Sequence, residues 1–391
     1  MANPPLRRAT LSGASLAVLL TISHTANDAF SNVLPVYLPI LQSRFDLGEA
    51  ALATFVAVIS ISANVLQPVM GALSDRWGRR RSAALGLMVG SVLMSFIAVV
   101  PSVGFLLLVL ALGGLGSAIF HPSAVSMARA VGERKGLSIG FFTAGGPLGS
   151  AIMPVVVLAI IRQYGAEYVP WLAIIGVLLG LALLFGAPQQ TQVTGSNRPK
   201  VFDLQLLLGP VGVLAAAGTL RSLAFISFTN AMPLWLVNVQ GLAQDDALIG
   251  WTLFVYSAAA SAGVLVSGAL EHRFSRLYLI SGSMLLAMPL LISTLFAPTG
   301  SVLYFICVAL AGALTNAAIP LMVVSAQDLA PDRIAAASGM LMGFTWGIAG
   351  VIYIGFGALQ QAVGLTPALF ISYLFMMPAA ALAFYVIRRS D

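Results

Sequence analysis

Residues 71–79 read GALSDRWGR, and 197 residues further on, residues 268–276 read GALEHRFSR. Each stretch lies between two long apolar runs, so the chain reads as one membrane architecture written twice. Two further echoes fall at nearly the same offset. Residues 32–38 (NVLPVYL) match 230–236 (NAMPLWL), and Pro122 matches Pro320. A duplicated, membrane-embedded chain points to a transporter.

Composition supports this reading. Hydrophobic residues make up 59% of the 391 and charged residues 8%, with a mean hydropathy of +0.97. A soluble domain would carry about 25% charged residues. Runs of about 20 apolar residues cross a bilayer, and twelve are expected: 11–38, 49–73, 82–100, 104–129, 137–161, 168–187, 205–236, 247–270, 277–297, 301–327, 335–361 and 364–387. The fold class expected is therefore an all-α membrane protein of twelve transmembrane helices in two pseudo-symmetric six-helix bundles. The bundles are 1–187 and 205–391, joined by a cytoplasmic linker at 188–204 whose polar core is 189–200 (QQTQVTGSNRPK).

Placing the N-terminus in the cytoplasm puts nearly all of the 19 Lys and Arg residues on the cytoplasmic side, as the positive-inside rule requires. Arg44 and Arg162 fall outside, and Arg221 lies within a span. This bias accounts for the net charge of +6 and leaves no basic excess for nucleic acid. Arg7 and Arg8 precede an apolar run longer than a signal-peptide core, so that run is read as the first span. The single Cys307 excludes a disulfide framework. His24, His121 and His272 are far apart in sequence, with no metal-ligand spacing and no phosphate-binding loop, so neither an enzyme, a metal site nor a cofactor is expected.

Ionisable groups inside the membrane cost about 2.5–3.5 kcal/mol on insertion scales and so call for a function. Asp28 is the acidic group expected deep in the first span, and His24 shares its helix face at i,i+4 spacing. Thr21, Thr25, Asn27, Ser31 and Asn32 widen that stripe into the wall of a wet cavity. Arg221 holds the matching place in the seventh span. The reading is a switch. Ionised Asp28 pairs with Arg221, and protonated Asp28 frees Arg221 to hold an anionic group. The alternative is a structural ion pair that joins the halves. His121 next to Pro122 is a substrate contact, a proton relay or a kink hydrogen bond. Asn27, Phe141, Thr143, Asn316 and Gln327 are further cavity candidates, and Phe225, Phe228, Trp235, Trp251, Tyr256, Phe344 and Trp346 are aromatic ones.

The segment 71–81 (GALSDRWGRRR) resembles the signature between the second and third helices of the major facilitator superfamily. Within it, SHTAND at 23–28, LQPVMG at 66–71, FHPS at 120–123 and AQDLAPDRIAAASG at 326–339 resemble the fosmidomycin-resistance branch of efflux transporters. The resemblance implies a conformational latch of Gly71, Asp75, Arg76, Gly78, Arg79 and Arg80, in which Asp75 locks the cytoplasmic side of the outward-facing state. The other reading of the arginines is a positive-inside anchor. In the second half His272 and Ser275 stand where Asp75 and Gly78 stand in the first, which implies a differently built latch. Gly145, Gly146, Pro147 and Gly149 resemble the Gly-Pro motif of antiporters, although Ser150 departs from the pattern. A purely structural kink is the alternative.

The function expected is proton-coupled export of a small drug-like compound, anionic if Arg221 binds it. Asp28 is the proton site, His24 its modulator and Arg221 the anion anchor. The alternatives are a proton-linked importer or exchanger of a metabolite such as an organic acid or sugar, and a substrate sensor on a transporter scaffold. Expected partners are the small molecule, protons and membrane lipids, with no nucleic acid. The protein is expected as a monomer in the bacterial inner membrane with both termini cytoplasmic.

Overall fold

The computed structural model describes residues 11, 13–129, 135–188 and 204–390. The expected linker core at 189–200, together with Arg7 and Arg8, lies outside the described residues. The apolar runs become helices. In the first half these are α1 (Gly13–Ser31), α2 (Leu34–Phe45), α3 (Glu49–Ser60), α4 (Gln67–Trp77), α5 (Arg79–Ser95), α6 (Val103–Arg129), α7 (Lys135–Tyr164) and α8 (Ala173–Gly186). In the second half they are α9 (Leu204–Leu207), α10 (Pro210–Asn238), α11 (Ala247–Leu270), α12 (Arg276–Ser293), α13 (Val302–Leu329), α14 (Ile334–Gly339), α15 (Thr345–Val363), α16 (Leu365–Leu374) and α17 (Met376–Ser390).

Among the described residues ten helices are long and apolar enough to cross a membrane. The pair Glu49–Val65 and Gln67–Trp77, bent by 46°, makes an eleventh if it is one span. Length and composition thus stop short of the twelve expected. The shortfall is the first span, where α1 carries the polar stripe and the helix is interrupted before Pro35 opens α2. Its counterpart α10 runs unbroken through Pro233.

Local chemistry sets several boundaries. Gly78 between α4 and α5 has φ 90°, a left-handed conformation that a side chain would strain. Ser275, Ser301 and Asp246 cap α12, α13 and α11, each accepting a bond from the first turn. The Asp246 carboxylate accepts from the Leu248 amide at 2.8 Å. Asp246→Ala is expected to cost about 1 kcal/mol, visible as a fall of a few degrees in the thermal midpoint of purified protein with no change in transport.

Within the first half α1 packs on α7, and α5 on α6 and α8. In the second, α13 packs on α11 and α12, and α17 on α10 and α12. The halves meet where α3 lies on α15, α7 on α11 and α2 on α10. Outward-facing side chains such as Ile174, Ile175, Leu178 and Phe185 of α8 stay exposed, which suits a hydrocarbon surround.

Candidate functional site

A cavity of about 2000 Å³ lies between the halves. From the first half His24, Asp28, Asn64, Ser117, His121 and Thr143 line it, and from the second Phe225, Asn230, Asn316 and Trp346. It reaches Asp75, Arg76 and Arg79 at the end that carries the basic loops. At the opposite end α2 and α10 close together, and Asn238 Nδ2 donates to Gln42 Oε1 at 2.8 Å. The cavity therefore reaches its mouth on the basic side, and the halves are bridged at the other end.

The polar stripe of α1 forms one wall. Asp28 Oδ2 is 3.4 Å from His24 Nε2, and Asp28 Oδ1 is 3.2 Å from His121 Nε2. Asn27 Nδ2 is 3.0 Å from Asp28 Oδ1 and 3.1 Å from Ser117 Oγ. His24 Nδ1 lies 2.6 Å from the carbonyl of Phe142. The His24 ring stacks on the Phe142 ring at 4.3 Å and 11°. A carboxylate is thus held between two imidazoles, one of which has its second nitrogen fixed by backbone. Chemically, such a cluster can store and release a proton. Among the described residues these three are also the group whose donor atoms could hold a metal ion, all lying within 4.8 Å of one another. Sequence spacing gave no sign of this, because His121 reaches Asp28 through the packing of α6 on α1.

Helix α7 comes this close because of its glycines. A Cβ at Gly145 would meet the Thr21 carbonyl at 2.8 Å, and one at Gly149 would run into the Thr25 carbonyl. A Cβ at Gly146 would strike the Asp28 carboxylate and sit 2.8 Å from the His24 ring. The helix remains continuous through Pro147, so the motif serves close approach. Phe141 lies in this helix, and its side chain falls outside the described residues.

Arg221 does not meet Asp28. It is 2% exposed; its Nη1 donates to Asn316 Oδ1 at 2.7 Å and its Nη2 to Ser222 Oγ at 2.7 Å. Its guanidinium sits 4.9 Å above the Trp346 ring. Asn316 and Trp346 line the cavity, which places Arg221 directly behind that wall. The repeat explains the correction. Arg221 stands 197 residues after His24, the same offset as the doubled loop, so each turns toward partners in its own half. Equivalent positions need not face one another. Arg221 is left buried with neutral partners, and an anion in the cavity would find it behind Asn316.

At the mouth, Asp75 Oδ1 pairs with Arg79 Nε at 3.1 Å, and Arg79 also bonds Ser126 Oγ on α6. A Cβ at Gly71 would sit 3.3 Å from Pro122. Arg80 donates to the Ala187 carbonyl. In this state the partners of Asp75 and Arg79 belong to their own half. The second-half loop is built differently: Arg276 pairs with Glu271 and with Asp328 of α13. Gln327 Nε2 donates to Ser338 Oγ, away from the α1 cluster. Sequence reasoning missed Ser117 and the Phe142 carbonyl, and a backbone acceptor leaves no signal in residue type.

The family model of the Major Facilitator Superfamily matches residues 20–354. The chain is 28% identical to the fosmidomycin resistance protein of Escherichia coli (strain K12), covering 85% of this chain and 83% of that one. It is 28% identical to an uncharacterized MFS-type transporter of Bacillus subtilis (strain 168), covering 94% and 92%. In fold it is similar to the crystal structure of a bacterial homolog of the human lysosomal transporter Spinster, with TM-score 0.76, 16% identity and coverage of 96% and 97%. The family and these relatives are multi-pass membrane transporters and not enzymes.

Proposed function

The chain belongs to the major facilitator superfamily, and we propose that it exports a small anionic, drug-like compound in exchange for protons. The observation that carries this reading is the His24–Asp28–His121 cluster in the wall of a cavity that the two halves share. A carboxylate between imidazoles takes up a proton from a wet cavity with little rearrangement. Similarity to a fosmidomycin resistance protein supports efflux as the physiological direction.

The bundles 1–187 and 205–391 rock about the α3–α15 and α7–α11 contacts, with 188–204 as a cytoplasmic tether. In this reading the basic mouth faces the cytoplasm, as the positive-inside rule favours, both termini are cytoplasmic, and the protein works as a monomer in the bacterial inner membrane. Asp75 is free to change partners when the mouth shuts, which gives the latch its role in the outward-facing state. The compound's anionic group docks at Asn316 and, through it, at Arg221, while Phe225 and Trp346 cover its apolar body.

In vesicles containing the purified protein, an imposed pH gradient is expected to drive accumulation of such a compound; equal accumulation with the gradient collapsed removes the exchange. Arg221→Gln is expected to weaken binding of the anionic compound about 10- to 100-fold, the range of a lost charge-assisted bond of about 1.5–3 kcal/mol, and to leave binding of a neutral analogue unchanged. Equal weakening of both would assign Arg221 to structure alone.

A further inference from the structure

His24 Nδ1 faces a carbonyl oxygen at 2.6 Å. A carbonyl has no hydrogen to give, so Nδ1 must carry one. That leaves Nε2, 3.4 Å from Asp28 Oδ2, as the ring atom whose protonation changes. If Nε2 and Oδ2 both offered lone pairs, they would repel, so the contact holds together only with a hydrogen between them. The other oxygen already accepts from Asn27 Nδ2 at 3.0 Å, and His121 Nε2 lies 3.2 Å from it. Of the two groups that share this contact, a free imidazole is the more basic by about 2.5 pH units.

We infer that in the exchange proposed above, on which this inference rests, the mobile proton is lodged on Nε2 of His24. Asp28 is its standing counter-ion, and the Phe142 carbonyl positions the ring. The titratable group that the neighbouring elements bring to the pair is His121, on the other carboxylate oxygen. Helix α6 presents His121, and α7 presents the Phe142 carbonyl and glycines. Helix α5 carries its charges at Arg79, Arg80 and Arg81 by the mouth, and α8 carries none.

This placement ties the proton to the rocking motion. Helix α7 packs on α1 in its own half and on α11 across the interface, where a Cβ at Gly250 would lie 3.2 Å from Val155. When α7 shifts against α1, the Phe142 carbonyl leaves Nδ1. The ring then loses one of the two partners that hold the imidazolium, and the proton is released.

The test is nitrogen NMR of full-length protein in lipid nanodiscs, labelled with ¹⁵N at its three histidines and assigned with His121→Gln and His272→Asn. His24 is expected to show hydrogen on both ring nitrogens, and to lose the Nε2 hydrogen as pH rises through the range in which pH-driven flux in vesicles declines. Asp28→Glu is expected to retain that imidazolium and Asp28→Asn to lose it. His24→Gln is expected to reduce pH-driven flux at least tenfold while exchange of labelled for unlabelled compound continues. A His24 that stays neutral, with hydrogen on Nδ1 alone, throughout the pH range of coupled flux assigns the proton to Asp28 or His121 and overturns the inference while leaving proton exchange intact. An imidazolium in a protein whose flux ignores the pH gradient overturns both.

Discussion

Asp28→Asn is expected to reduce pH-gradient-driven transport more than tenfold while leaving exchange of labelled for unlabelled compound measurable. The substitution keeps the shape of the side chain and removes its charge. It leaves His24 and His121 facing an amide in place of a carboxylate that each approaches within 3.4 Å. One amide oxygen can still accept from Asn27 or His121, but the NH₂ group turned toward the other imidazole competes as a donor. Loss of the counter-ion removes the reason for a proton to reside there, so the halves can still alternate around the compound without taking a proton along. The folding cost is that of an ill-matched buried polar group, about 1–3 kcal/mol, which a helical membrane protein in lipid tolerates. The measurement is flux in vesicles with and without a pH gradient, normalised to folded protein by thermal melting. Coupling that survives in Asp28→Asn would remove Asp28 and its imidazoles from the mechanism.

The fold was legible because hydropathy and the doubled loop act along the chain, and both leave their marks in local sequence. The one span that length and composition do not deliver is the first, and the polar residues that lower its hydropathy are those that build the site. His24 and Asp28 were legible as a pair because i,i+4 spacing on a helix is a local fact. His121 was not legible as their partner, since it lies 93 positions after Asp28 and reaches it only through the packing of α6 on α1. The expected Asp28–Arg221 pair failed for a reason the repeat itself contains. At an offset of 197–198 Arg221 falls opposite His24 or its neighbour Ser23 in the repeat, and each looks into its own bundle, Arg221 to Asn316 on α13 and His24 to Phe142 on α7. The Gly-Pro run was legible as small residues, while which helix they admit became clear only when the hypothetical Cβ atoms fell on Thr21, Thr25, His24 and Asp28.

That close approach separates two alanine substitutions one turn apart. Gly149→Ala sets its methyl against the Thr25 carbonyl and 2.9 Å from the Ala29 amide. Both belong to the backbone of α1 and cannot rotate away, so the helices must part. Overpacking of this kind costs about 1–3 kcal/mol, and the helix-propensity gain of about 1 kcal/mol for Gly to Ala offsets only part of it. Gly149→Ala is therefore expected to lower the thermal midpoint and the yield of folded protein. Gly146→Ala meets side chains instead, the Asp28 carboxylate and the His24 ring. Those groups can swing aside, but doing so breaks the contacts with His121 and with the Phe142 carbonyl. Its expected phenotype is a near-native melting curve with pH-driven flux reduced at least tenfold. Melting and vesicle flux measured on the two variants side by side decide the matter. If Gly146→Ala kept full coupling, α7 would not be seated against the proton cluster as described; if Gly149→Ala melted like the parent, α1 and α7 would not be in backbone contact there.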